Sequence, residues 1–376
     1  MIKTKIDAIT GLRGLAALMV VYAHAVSWFS LPLKINFSGE IGVMIFFSLS
    51  GFLMAYLYIG KKFSALDVTN YAISRFSRIA PAYLFILFLS YIIYTNIDPN
   101  FIYDISSKNI LRHILFSGNV SVFWSITPEV EFYFLFVIIW AAASRYLMKF
   151  DVVGILFLVI GSVLILSYRD IFPGTFIGGK LHYFLFGVIA GVIRSKIKNE
   201  QDKTSITILH IVLIALMILM ESGLLPLPFL NNAEFYSSIL TAVVGAVLVF
   251  SFTFPSVIAK FLFENKFIIF CGECSFSIYL LHMPVIYLFQ RLLPEQSNDL
   301  VSISLQILFL ITFSLIVLIV SWLNFHLIEK PGARLIKTMG NSLKKKLFPL
   351  IPMASNAHPK SVKVMKDEKN LLKSDA

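Results

Sequence analysis

Windows of about twenty apolar residues recur along this chain, at 10–31, 41–59, 79–97, 124–147, 152–168, 178–194, 206–224, 236–254, 274–293 and 304–327. Inside a bilayer no water satisfies the backbone, so segments of this kind must close their hydrogen bonds within themselves and become helices. The predicted fold is therefore all-α, a polytopic membrane bundle of about ten transmembrane helices. Composition agrees: 58% of the 376 residues are hydrophobic and the mean hydropathy is +0.82, outside the range of soluble globular domains.

An even number of crossings returns both termini to one side. One set of loops holds Lys61, Lys62, Arg75, Arg78, Arg145, Lys149, Arg194, Lys196 and further cations, whereas the opposite set holds only Lys34, Lys108, Arg112, Arg169, Lys180 and Arg291. The positive-inside rule then predicts cytoplasmic termini, in a cell inner (cytoplasmic) membrane. The formal charge of +11 is spread over these loops and the tail, so no nucleic-acid partner is expected, and topology with anionic membrane lipids accounts for the charge. Two parts are expected: a transmembrane domain over 1–335 and a charged cytoplasmic tail over 336–376, read as disordered because no apolar helical stripe is evident beyond about Met339. Cys271 and Cys274 form a single C-x-x-C pair, two ligands where structural zinc needs four, so they are read as small buried residues and no metal is expected.

The first window, Ile9 to His24, carries two ionisable side chains, Arg13 and His24. Such groups are costly in lipid and are kept for a task or a partner. Eleven helical steps bring them to one face, about 16 Å apart along the axis, so this face is expected to line a polar path. Lys3, Lys5 and Ala23-His24-Ala25 imitate a secretory signal, but the run is long and cleavage would discard that face.

A second polar element opens the fourth window, Trp124-Ser125-Ile126-Thr127-Pro128-Glu129-Val130-Glu131-Phe132-Tyr133. Thr127 is a suitable N-cap and Pro128 a suitable first helical residue, which puts Glu129 near the positive end of the helix dipole. The dipole favours the carboxylate and burial opposes it. Entering from opposite sides, Glu129 lies about 8 Å deep and His24 about 20 Å along its helix, which nearly coincide in a core of about 30 Å. An imidazole and carboxylate pair suits general-base chemistry; a buried structural ion pair, with Trp124 as an interfacial anchor, is the alternative the residues leave open. Glu131 is either a second pathway carboxylate or a partner for a neighbouring cation. Arg75 and Arg78, three apart at the cytoplasmic entrance of the third window, share a helix side with phosphate-gripping geometry, although arginines also snorkel at that border. Ser275, Tyr279 and His282 make a polar stripe in the ninth window, and Glu329-Lys330-Pro331 closes the tenth as ordinary interface chemistry.

Taken in order, these residues resemble the membrane-bound acyltransferase 3 family of O-acyltransferases. The resemblance runs through Asp7, Gly11-Leu12-Arg13-Gly14 and His24, then Gly42 with Phe46-Phe47-Ser48-Leu49-Ser50-Gly51-Phe52, Arg75 to Pro81, Trp124-Ser125 with Glu129 and Phe132-Tyr133, Ser275 to His282, and Glu329 with Pro331. It implies transfer of an acetyl group from cytoplasmic acetyl-CoA to a hydroxyl of a cell-surface carbohydrate, in O-antigen, exopolysaccharide, capsule or a lipid-linked glycan. It further implies His24 as the catalytic residue, Glu129 as its helper, and Arg13, Arg75 and Arg78 as cations for the donor. One branch of the family carries an SGNH-type esterase-like domain that this sequence lacks. A separate periplasmic partner is therefore expected, or a bundle sufficient alone. A membrane transporter or flippase of a polysaccharide precursor is the competing reading, since polar residues in a bundle also make solute pathways, and a noncatalytic scaffold is a third.

Overall fold

The computed structural model describes residues 6–28, 37–197, 202–222, 235–292 and 303–349. In chain order its helices are α1 (Asp7–Trp28), α2 (Ser38–Met54), α3 (Ala65–Asn96), α4 (Ile110–Ile114), α5 (Ile126–Lys149), α6 (Val153–Ser167) and α7 (Leu181–Lys196). There follow α8 (Lys203–Ser222), α9 (Ile239–Ser251), α10 (Val257–Phe263), α11 (Lys266–Glu273), α12 (Ser275–Leu292), α13 (Ile303–Asn324) and α14 (Lys330–Leu347). No strand occurs among the described residues, so the all-α expectation holds.

Six described helices are long and apolar enough to cross a membrane, and a seventh crossing is available if α11 and α12, bent by 77°, act as one. All ten windows contain a helix, but α6, α7 and α9 have only 15, 16 and 13 residues. A straight crossing needs about 20, so helix length does not support a count of ten. The lipid-facing character is clearest on α6, which has no buried residue and turns Leu156, Phe157, Val159 and Ile160 outward. In water that surface would be a liability; hydrocarbon matches it.

Close backbone approach sets the frame around the site. Hydrocarbon gives apolar side chains little reason to associate, so helix pairs gain from small residues that let backbones touch. A Cβ on Gly272 would fall 1.9 Å from the Thr10 carbonyl oxygen, and one on Gly11 would fall 1.9 Å from that of Phe263. These glycines lock α1 against α10 and α11. Gly51 against Phe184 (2.1 Å) and Gly187 against Ser48 (2.3 Å) do the same for α2 and α7.

Two boundaries differ from expectation. α3 begins at Ala65 rather than near 79, because Ser64 caps it by accepting from the Asp67 amide at 3.2 Å. At 32 residues it is about 48 Å long and projects well beyond the bilayer. Arg75 and Arg78 thus sit inside a helix rather than at its entrance. The tail boundary at 335/336 falls inside α14, which stays helical to Leu347. Leu335, Met339, Leu343 and Leu347 recur every four residues there, a stripe the sequence reading overlooked, and α14 rests on the projecting part of α3 through Gly340 against Ile73 and Lys344 Nζ donating to Asn70. Residues 350–376 of the expected tail lie outside the described residues.

Candidate active site

α1, α2, α3, α5 and α12 enclose one cavity, and most of the sequence-derived polar residues meet there. Arg13, Arg75, Arg78, Ser125, Glu129, Tyr133, Ser275 and Tyr279 line it, together with Ser50 and an apolar wall that includes Phe46, Phe47 and Leu53. Its enclosed part is about 80 Å³. Three guanidinium groups face one carboxylate, so the lining favours an anion.

The local folding explains who points inward. Arg13 Nη2 donates to Ser275 Oγ at 2.8 Å, tying α1 to the first residue of α12 at the bend that follows Cys274. Arg75 donates to Ser74 Oγ at 3.3 Å and packs 5.9 Å from the Tyr58 ring centroid, while its Nε is buried with no partner among the described residues. Glu129 Oε1 accepts from Ser50 Oγ at 2.9 Å and from the Tyr133 hydroxyl, one helical turn on, at 2.6 Å. Ser125 Oγ, in the turn that leads into α5, and the Tyr279 hydroxyl of α12 stand 2.7 Å apart.

The expected pairing of His24 with Glu129 is not made. His24 Nδ1 lies 3.0 Å from His282 Nε2 and 3.0 Å from the Val20 carbonyl. Depth fixes the height of a residue in the bilayer and leaves its azimuth free: Glu129 is committed to Ser50 and Tyr133, and His24 turns to α12 instead. The two histidine rings are 5.0 Å apart, and the ring of Tyr279, which lines the cavity, is 5.9 Å from that of His282. His282 is fully buried, with Nδ1 3.3 Å from the Ile278 carbonyl.

Two other residues stand apart from the cavity lining. Glu131 turns away and accepts from the Ile177 amide at 2.7 Å, holding the turn before α7. Trp124 meets Phe47 (6.4 Å) and Tyr236 (5.6 Å) edge-on. Thr127 is not an N-cap: α5 starts at Ile126 after a 3-10 turn at Ser121–Ser125, and the Thr127 hydroxyl donates to Gly118 O at 2.9 Å.

Sequence reasoning named Ser50 only within the second-span signature, without a role, and missed a second network. Glu329, 5% exposed, accepts from Ser277 Oγ at 2.7 Å, and Ser277 accepts from Asn324 Nδ2 at 2.8 Å. The π turn at Phe325–Glu329 redirects that carboxylate inward, a register change that a regular helical projection misses. Cys271 and Cys274 are buried thiols, and the described residues contain no group of three or more metal-type ligands.

Residues 6–325 match the model of an acyltransferase domain family, acyltransferase 3. The chain belongs to the acyltransferase 3 family. Among curated relatives it is 26% identical over 367 residues to the peptidoglycan O-acetyltransferase OatA of Listeria monocytogenes, covering 87% of this chain and 55% of that protein. It is 23% identical over 324 residues to a protein named as an O-acetyltransferase in Staphylococcus aureus, covering 75% of this chain and 50% of the other. The chain thus spans about half the length of these acyltransferase relatives. No solved structure matches it.

Proposed function

We propose that this acyltransferase is a multi-pass O-acetyltransferase of the cell inner membrane, with both termini cytoplasmic, that moves an acetyl group from cytoplasmic acetyl-CoA to a hydroxyl of a cell-surface carbohydrate. The observation that carries the reading is the single cavity in which Arg13, Arg75 and Arg78 converge beside Tyr279, with the His24 and His282 pair behind it. Coenzyme A is rich in phosphate charge. The unpartnered Nε of Arg75 fits that chemistry, since a guanidinium fork grips phosphate oxygens bidentately.

The histidine geometry supports a general base. The Ile278 carbonyl can only accept, which places a proton on His282 Nδ1 and leaves Nε2 as a lone pair. His24 Nδ1 then faces two acceptors, His282 Nε2 and the Val20 carbonyl, and carries the proton that both share. Nε2 of His24 is left as the base. In the transfer step it takes the proton of the acceptor hydroxyl while that oxygen attacks the thioester carbonyl; the C–S bond breaks, and the departing thiolate recovers the proton. His282 orients the ring and accepts from the imidazolium formed, the position expected of Glu129 on sequence grounds.

Purified protein incubated with acetyl-CoA and extracted surface glycan should release free CoA and yield glycan heavier by one acetyl group, and His24→Ala should do neither while still inserting in the membrane. Full activity in a normally expressed His24→Ala variant would overturn the base assignment. A transporter or flippase would release no CoA.

A further inference from the structure

Near the end of the bundle where α1 finishes and α2 begins, a set of donors is left without acceptors among the described residues. Ser38 Oγ bonding to Met19 O and Phe37 stacking on Phe235 at 5.4 Å mark that end, and His24 lies on the α1 turns that reach it. Lys180, immediately before α7, is only 8% exposed. Its ammonium lies 4.2 Å from the Tyr236 ring centroid, and it makes no hydrogen bond or ion pair among the described residues. A single cation–π contact offsets only part of what an ammonium loses on leaving water. The neighbouring donors are also unused: the Tyr236 hydroxyl and the Trp124 indole N–H make no hydrogen bond among the described residues, although the two rings touch edge-on. Two residues on, His182 is fully buried.

A cation, an indole N–H and a phenol beside two aromatic faces form a donor-rich surface, with Glu40 on α2 as a carboxylate within electrostatic reach of Tyr236. A ligand that satisfies it must bring oxygen acceptors, negative charge and a flat C–H face, and an acidic carbohydrate has all three. Trp124 directly precedes Ser125, whose hydroxyl is bonded to that of Tyr279 on the cavity wall, so such a ligand would sit beside the reacting end of the site. We propose that Lys180, Tyr236 and Trp124 form the acceptor subsite and that it takes a glycan bearing an anionic oxygen group, with the anion on Lys180 and a sugar face on Trp124 and Tyr236. The proposal rests on the O-acetyl transfer reading. The anion has two chemical sources, a carboxylate on the sugar itself or the pyrophosphate of a lipid-linked glycan.

The test uses the full chain in nanodiscs with three acceptors: a neutral oligosaccharide, the same oligosaccharide with a uronic acid, and the neutral one linked to a polyprenyl pyrophosphate. One anionic acceptor should show a KM at least tenfold below the neutral one, and which of the two does so names the source. Lys180→Gln should raise that KM at least tenfold with kcat within about twofold, and Lys180→Arg should restore it. Equal use of neutral and anionic acceptors, or a KM indifferent to Lys180→Gln, overturns the subsite. Binding of the same three probes without donor separates the two readings. Lys180-dependent binding with no turnover sustains the subsite and sinks acetyl transfer, whereas absence of Lys180-dependent binding in protein of unaltered melting temperature sinks the subsite.

Discussion

His282 Nε2 stands 3.0 Å from His24 Nδ1, and among the described residues no hydrogen bond joins either ring to a carboxylate. On the proposed reading, a neutral imidazole as orienting partner avoids placing a charge beside the base in lipid, where an unpaired ion is expensive. His282→Phe should lower kcat by about a hundredfold, the scale of a general base that has lost its alignment, with little change in the KM for acetyl-CoA. His282→Gln, which returns an acceptor near the position of Nε2, should recover part of the loss. Nitrogen NMR of histidine-labelled protein should find His24 protonated at Nδ1, and a proton on Nε2 instead would contradict the assignment.

On the proposed reading, Arg75 and Arg78 hold phosphate through forked N–H groups rather than through charge alone. Lysine keeps the charge and loses the fork. A charge-assisted hydrogen bond is worth about 1.5–3 kcal/mol, so Arg75→Lys or Arg78→Lys should raise the KM for acetyl-CoA roughly ten- to a hundredfold. Steady-state kinetics at saturating acceptor checks this, and a lowered kcat with unchanged KM would place these arginines outside the donor site.

The apolar windows and the ionisable residues inside them were legible because both obey simple rules of cost in lipid. Arg13, Arg75 and Arg78 were grouped from the sequence, and they line one cavity. The partner of His24 was not legible, since matching depths on two helices says nothing about which faces look at each other. Nor was Glu329 recognised as buried, because the π turn beneath it shifts the helical register. The early start of α3 hid behind a cation-rich stretch that reads as loop, although the Ser64-x-x-Asp67 cap was available as a signal.

Gly272 and Gly161 offer a matched stability pair. A methyl group on Gly272 would meet the Thr10 carbonyl oxygen at 1.9 Å, where backbone has to move, while one on Gly161 meets nothing within 4 Å. Overpacking of this kind costs about 1–3 kcal/mol, whereas removing a helical glycine's freedom gains about 0.5–1 kcal/mol. Gly272→Ala should melt at lower temperature than the parent in the same detergent, and Gly161→Ala at the same or higher temperature. Reversal of that order would remove the case for close α1–α11 contact as the anchor of Arg13.

Asp98, just beyond α3, ties that helix to the far end of α12. The Tyr287 hydroxyl donates to its carboxylate, the Asn100 amide donates at 3.0 Å, and Arg291 Nη2 bridges to it at 2.9 Å. Tyr287 first, then the Asn100 amide and Arg291, hold the Asp98 carboxyl below its ordinary pKa. A group with a depressed pKa stabilises the folded chain above its unfolded pKa, near 4 for aspartate, and that contribution fades as pH falls through the folded value. The link should therefore be indifferent to pH between 5 and 8, roughly a unit or more above the window in which aspartate titrates. Melting curves of the parent and of Asp98→Asn should differ by a constant offset across that range and converge only below about pH 4. Because the pair is exposed, high salt should shrink the offset. Convergence already at neutral pH would mean that the α3–α12 link contributes nothing to holding these helices in register.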